Sequence, residues 1–351
     1  MAVDYFTQRD DETRLKIREI RKGLPPFVGD FFRGVAQNTS TLTQLGYARD
    51  LKTFFEFLVA ETDEFYGKKI TELNFSDLDK ITATHLEMYV EYIELYKIDG
   101  KIHKNGERAK ARKLSSIRAM LKYFFKKDLI KTNVASKIDS PKIHDKEIIR
   151  LELDEVERVL DIAESGEDMT NMQREFHEHT KARDYAMLSL FLGTGIRISE
   201  CVGLDIDDFD FKQNAFKITR KGGNKVILYF NEEVSDALQN YILERRLITA
   251  QPGHEKALFL SMQNKRISVR AVQKLVKKYS HIVNPLKKIT PHKLRSTFGT
   301  NLYKETGDIY IVADVLGHKD VNTTRKHYAA ISDDIRRNAA KKVRFRESDE
   351  T

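Results

Sequence analysis

The stretch His292-Lys293-Leu294-Arg295-Ser296-Thr297-Phe298-Gly299-Thr300-Asn301-Leu302 sets a histidine and an arginine three positions apart, directly behind Pro291. Proline suits the first position of a helix, where its missing N–H is no loss. The spacing therefore predicts a helix start with His292 and Arg295 on neighbouring faces. Backbone N–H groups at such a start add to any anion site formed there. Downstream come Leu316-Gly317-His318, with Tyr328 ten residues beyond His318. Upstream lies Thr194-Gly195-Ile196-Arg197-Ile198-Ser199-Glu200.

In that order these are the parts needed to break a phosphodiester without a metal ion. Attack on phosphorus builds negative charge on a five-coordinate centre, which fixed cations and hydrogen-bond donors must meet. Arginine is always ionised and offers a planar fork to two oxygens, so Arg197 and Arg295 are the expected phosphate clamps. A tyrosine hydroxyl has an ordinary pKa of about 10 and needs a base or strong anion stabilisation before it attacks. Histidine can take that proton near neutral pH. The departing 5′ oxygen needs a general acid, which a lysine on a hairpin tip can supply. Taken singly, Arg197, His318 and Tyr328 suit core or surface positions with no chemistry. Their order, spacing and flanking residues together point to a site.

The chain has 351 residues, enough for two domains with separate cores. Its hydrophobic content of 40% suits a globular protein. No apolar run approaches the roughly 20 residues that span a bilayer, and the polar N-terminal stretch lacks a signal core. Neither membrane insertion nor secretion is expected. A lone cysteine, Cys201, excludes an internal disulfide and a multi-cysteine zinc site, and its apolar setting makes it a small core residue. The net charge is +8, unevenly spread. Residues 101–150 hold 15 Lys/Arg against 5 Asp/Glu, whereas residues 151–210 hold 5 against 16. Concentrating positive charge in one stretch presents a basic face to a polyanion; a pair of solvated faces is the plainer alternative.

Residues 8–22 are highly charged and predict a short helix ahead of Pro25-Pro26. From there to about residue 137 the pattern is helical. Tyr47, Leu51, Phe54, Phe55 and Leu58 form one apolar stripe, Leu86, Val90 and Ile93 a second behind the possible caps Thr82 and Thr84, and Leu114, Ile117, Leu121 and Phe124 a third. Phe and Tyr on these stripes read as core. Lys110, Lys113 and Lys122 leave the third stripe and can point at phosphates. Residues 138–150 read as a linker. A second domain begins near Leu151 with a helix from Asp154 to Ile162, followed by a polar insertion. The insertion contains His177 and His179, whose spacing of two does not suit metal ligation from a helix, so it reads as a surface loop. Asp184 to Phe191 predicts an apolar helix. Phe216–Thr219 and Val226–Phe230 predict a hairpin around Arg220-Lys221-Gly222-Gly223-Asn224-Lys225. Helix resumes from Val234, with a short strand about Leu258–Leu260.

These motifs resemble those of the tyrosine recombinases, the phage integrase family of Xer-like and transposon integrase-like enzymes. TGIRISE is similar to the family's first arginine box, which makes Arg197 a catalytic arginine and Glu200 its supporting carboxylate. HKLRSTFGTNL is similar to the His-x-x-Arg box, with His292 and Arg295. LGHKDVNTTRKHY is similar to the last box, with His318 and the nucleophile Tyr328. The family's hairpin lysine matches Lys221, with Lys225 as the alternative because this turn is one residue longer than the Xer pattern. Ser296 stands where many relatives have histidine, a change expected to affect packing more than chemistry. Tyr328 lies one residue further from its histidine than in Xer proteins.

The resemblance implies a mostly α fold: a small helical, SAM-like core-binding domain over 25–137 and a mixed α+β catalytic domain over 151–331 with a small antiparallel sheet, closing as a C-shaped clamp on DNA. Residues 1–24 would be an N-terminal extension, 138–150 the linker, and 332–351 a tail helix for protomer contacts. The implied function is metal-independent, cofactor-free site-specific recombination of double-stranded DNA through a 3′-phosphotyrosyl intermediate and a Holliday junction. A homotetramer would act on two sites, with directionality factors as possible partners, in the bacterial cytoplasm and on the nucleoid. Service to a mobile element or phage is the expected role. Chromosome dimer resolution, topoisomerase IB-like relaxation and non-catalytic DNA-binding regulation are the alternatives.

Overall fold

The computed structural model describes residues 4–98, 100–142, 149–220, 223–318 and 320–322. The chain divides into two compact units, Met1–Lys146 and Glu147–Thr351, and the division falls inside the 138–150 segment.

The first unit contains α1 (Tyr5–Arg21), α2 (Val28–Val35), α3 (Thr41–Glu61), α4 (Phe75–Leu78), α5 (Ala83–Tyr92), the strands β1 (Leu95–Ile98) and β2 (Lys101–Lys104), and α6 (Glu107–Phe125). The expected stripes form its core. Leu51, Phe54, Phe55 and Leu58 of α3, Leu86 of α5, and Ile117, Leu121 and Phe124 of α6 are buried in one cluster. Edge-on aromatic contacts such as Phe27–Phe124 at 5.6 Å and Phe54–Tyr89 at 5.1 Å knit it together. Each such buried side chain contributes roughly 1.5–3 kcal/mol of transfer free energy. Thr82, not Thr84, caps α5, accepting from the His85 N–H at 3.2 Å. Helix α1 packs along α3, and its Ile17 and the following Leu24 join the same core.

Two features depart from the expected pattern. The stretch between α5 and α6 is an antiparallel hairpin, not helix, pairing Leu95 with Lys104 and Tyr96 with His103. And Lys110 and Lys113 do not leave the apolar face of α6: both side chains are 9% exposed. Their long stems lie along the core while the ammonium groups find carboxylates. Lys110 reaches Glu107 at 2.8 Å and Glu94 at 3.1 Å. Lys113 lies 3.7 Å from Asp50 and over the Tyr96 ring. Asp50 is buried and also accepts from Arg112 at 2.8 Å and from the Ser116 hydroxyl at 2.7 Å. Lys122 is exposed.

The second unit contains α7 (Leu153–Ser165), α8 (Asn171–Glu178), α9 (Lys181–Thr194), α10 (Ile198–Gly203), a three-stranded antiparallel sheet β3 (Phe209–Asp210), β4 (Ala215–Thr219) and β5 (Lys225–Tyr229), then α11 (Glu232–Leu247), α12 (Val269–Val283), α13 (Pro291–Thr306) and α14 (Ile309–Leu316). Helix α9 is buried from Ala186 through Phe191, because α7, α11 and α13 all pack on it. Cys201 is fully buried, and burial pushes its thiol pKa up. Leu258–Leu260 is not a strand; it is flanked by isolated bridges, Asp205 with Ala257 and Leu260 with Arg266.

The polar insertion is not a surface loop. It folds as α8, capped by Thr170, and turns His177 inward while His179 stays exposed. Buried Asp184 accepts from the Tyr279 hydroxyl at 2.9 Å and from Arg183 at 2.6 Å. With the tyrosine proton committed to Asp184, His177 Nδ1, 3.2 Å from the same hydroxyl, carries the proton it donates. Burial holds the His177 pKa below its usual value, with the Lys278 charge acting the same way. Among the described residues no helix is long and apolar enough to cross a membrane.

Candidate active site

The site is built around the C-terminal turn of α14. A helix ends with backbone carbonyls that have no partner inside it. Here five in a row are satisfied. The His318 N–H donates to the Ala313 carbonyl at 2.9 Å, and the Gly317 N–H to the Asp314 carbonyl at 2.8 Å. Gly317 makes this closure possible by adopting a left-handed φ of +61°. The next three carbonyls take arginines from three separate elements. Arg220, at the end of β4, donates to Val315 at 2.9 Å. Arg295, from α13, donates to Leu316. Arg197, the N-cap of α10, donates to Gly317 at 3.0 Å. The negative end of the helix dipole favours cations at this place.

Arg295 is buried and spans two helix ends. Its other Nη donates at 2.6 Å to the carbonyl of Gly195, which terminates α9 with a φ of +62°. A side chain at Gly195 would run into Phe298 and Leu316, so the closeness of these three elements requires glycine there. Arg197 is half-buried. Its Nη1 donates at 3.0 Å to Glu200, a buried carboxylate that also accepts from the Arg197 backbone N–H at 3.0 Å. Glu200 thus holds the side chain and the main chain of Arg197 together.

Pro291 opens α13, and His292 follows it, exposed, one turn before Arg295. Ser296 is half-buried and its hydroxyl donates to the His292 carbonyl at 3.1 Å. Thr297, on the inner side, accepts from the Leu151 N–H at 3.1 Å and ties the start of the second unit to α13. His318 is half-buried, immediately after the arginine-bound turn. Lys225 is exposed at the start of β5, paired with Thr219. Lys221, Tyr328 and the 332–351 tail lie outside the described residues. Arg197, Arg295 and His318 are therefore gathered at one helix end, and His292 shares a helix with Arg295. Lys110, Lys113 and Lys122 belong to the other unit.

Arg220 is a site residue that sequence reasoning missed. Its guanidinium fills the space over Gly317, where a side chain would collide with it. Its Nε is buried with no hydrogen-bond partner among the described residues. Burial holds its pKa below the usual arginine value; Glu200 and Asp314 act against that shift, and the neighbouring charge of Arg197 acts with it.

Arg197, Arg220 and Arg295 are thus held by main-chain carbonyls, and Glu200 is the carboxylate bonded to Arg197. Residues 149–334 match the phage integrase family, and the chain belongs to that family: it is a tyrosine recombinase, an enzyme of site-specific DNA recombination. It is 31% identical over 329 residues to a tyrosine recombinase XerC of Caldanaerobacter subterraneus subsp. tengcongensis, covering 91% of this chain and 86% of that one. Two solved structures share its fold. One is the XerH site-specific recombinase bound to palindromic difH substrate, with a TM-score of 0.61 at 19% identity over 87% of this chain and 81% of that one. The other is the Tn1549 transposon integrase with a circular intermediate DNA, with a TM-score of 0.60 at 18% identity over 88% of this chain and 98% of that one.

Proposed function

We propose that the chain exchanges strands of double-stranded DNA by two successive transesterifications at the α14 terminus. Tyr328 attacks the scissile phosphate to give a 3′-phosphotyrosyl link and a free 5′ hydroxyl. Arg197, Arg295 and His318 hold the non-bridging oxygens, and Glu200 keeps Arg197 in place. His292 assists removal of the tyrosine proton and Lys221 protonates the leaving 5′ oxygen. A 5′ hydroxyl from the partner duplex then reverses the reaction, so the bond energy is retained in the covalent link. Four protomers on two sites, passing through a Holliday junction in the bacterial cytoplasm, complete this reading. The observation that carries it is the convergence of Arg197 and Arg295 on adjacent carbonyls directly before His318.

A nicked suicide substrate tests the chemistry, because loss of the short 5′ fragment traps the covalent complex. The wild-type protein is expected to trap, and Tyr328→Phe to bind the same DNA at near wild-type affinity without trapping. Covalent adducts from Tyr328→Phe would hand the role to another residue, Tyr310 first, which is exposed on α14. A monomer that relaxes supercoils without exchanging partners would support the topoisomerase-like alternative. For biological role we assign service to a mobile element or phage, a setting that the Tn1549 likeness suits. The Xer name of the relative favours a second reading, a chromosomal recombinase. Sequencing DNA crosslinked to Tyr328 in cells separates the two, as an element end or a fixed chromosomal site.

A further inference from the structure

Of the three arginines on the α14 terminus, the proposed chemistry uses Arg197 and Arg295 and leaves Arg220 without a task. Yet Arg220 is held in an unfavourable place. It is half-buried, close enough to Arg197 to feel its charge, and one of its N–H groups has no acceptor among the described residues. An orphaned buried donor costs about 1–3 kcal/mol, so a merely structural cation would be better replaced by an apolar side chain. What its position does is join two elements far apart in sequence. It directly follows β4, and its N–H donates to the Asn224 carbonyl at 2.8 Å while its carbonyl accepts from the Gly223 N–H at 3.1 Å. Its guanidinium binds the Val315 carbonyl and covers Gly317, one residue before His318.

We propose that Arg220 is a positioning residue that locks the β4–β5 turn onto the α14 terminus, so that the proton donor and the phosphate clamps are set by the same helix end. Lys221 is the next residue in the chain. The proposal rests on the reading of Lys221 as the general acid. It assigns Arg220 no contact with the phosphate. Its effect is on the step in which the O5′–P bond breaks and the leaving oxygen takes a proton from lysine.

The test uses the full chain and two nicked substrates, one with the natural 5′ oxygen and one with a 5′-bridging sulfur, which leaves as a thiolate without an acid. Arg220→Ala is expected to bind DNA like the wild type and to cleave the natural substrate on the order of 10- to 100-fold more slowly, as misplacement of a catalytic group by about 1 Å does. On the sulfur substrate it regains most of the lost rate, as Lys221→Ala also does. The double variant is no slower than Lys221→Ala alone, and Arg220→Lys, which can still donate to Val315, recovers part of the natural rate. Equal loss on both substrates, with Lys221→Ala rescued, overturns the proposal and places Arg220 on the phosphate or in the fold alone. Failure of the sulfur substrate to rescue Lys221→Ala removes the proton-donor reading instead, and the coupling with it.

Discussion

Helix α6 of the helical unit and the α14 terminus of the catalytic unit hold positive charge in opposite ways. In the helical unit Lys110, Lys113 and Arg112 meet carboxylates, those of Glu94, Glu107 and Asp50. In the catalytic unit Arg197, Arg220 and Arg295 meet the carbonyls of Gly317, Val315 and Leu316, with Glu200 the one carboxylate bonded to them among the described residues. A cation on a carboxylate is neutralised and becomes part of the fold. A cation on a carbonyl dipole is oriented but keeps its charge, and can still stabilise a phosphate. The contrast holds for these two groups and not for every cation of each unit: in the catalytic unit Arg183 pairs with buried Asp184, and buried Arg245 donates to the carbonyls of Ala257, Ile248 and Glu255.

Removing Arg295 should break this comparison hardest. Arg295→Ala deprives the Gly195 and Leu316 carbonyls of a donor at once. It is expected to lower the stability of the catalytic unit by about 3 kcal/mol in urea unfolding. Single-turnover cleavage should fall by roughly 10²-fold or more. Loss of cleavage with an unchanged unfolding midpoint would mean that the carbonyl bonds contribute nothing to holding the site. Asp50→Asn should do the reverse. It leaves Lys113 and Arg112 facing a neutral amide and is expected to cost about 2 kcal/mol in the helical unit, a figure reduced because the Arg112 side chain is 55% exposed. Trapping of a suicide substrate per folded molecule should be unchanged. The smallest effect sharpens the contrast within α6. Lys122→Ala is expected to flatten the salt dependence of DNA binding by up to about one log–log unit, whereas Lys110→Ala and Lys113→Ala leave the slope alone. A flatter slope for the latter two would show that their ion pairs open on DNA.

Much of the fold was legible because apolar spacing reports burial directly: the stripes on α3 and α6 and the apolar run of α9 lie where spacing puts them, whereas on α5 it is Tyr89, not Val90, that is buried beside Leu86. The hairpin between α5 and α6 was missed because a short, exposed strand pair buries too little to impose alternation. The Asp99-Gly100 dipeptide was the signal that could have found it. Helix α8 was missed because its sequence is polar and one inward histidine makes no stripe. Arg197, Arg295 and His318 stand out in the sequence by their flanking residues, and folding brings them to one helix end, with His292 on the helix that carries Arg295. Arg220 does not stand out, since its partner Val315 is 95 positions away and is used through its main chain. The same blindness hid the pairing of Lys110 and Lys113, whose charge is visible in sequence but whose carboxylate neighbours arrive by folding.

The three arginines also answer to acceptors that no codon specifies. A carboxylate partner can be lost by one substitution, but the carbonyls of Val315, Leu316 and Gly317 persist whatever side chains those positions carry. Inheritance can therefore reach these acceptors only by changing the path of the main chain. At Gly317 almost any replacement does so, by opposing the left-handed turn and colliding with Arg220. Outside the arginines themselves, the mutational target of this cradle contracts largely to Gly317, Gly195 and the one carboxylate, Glu200.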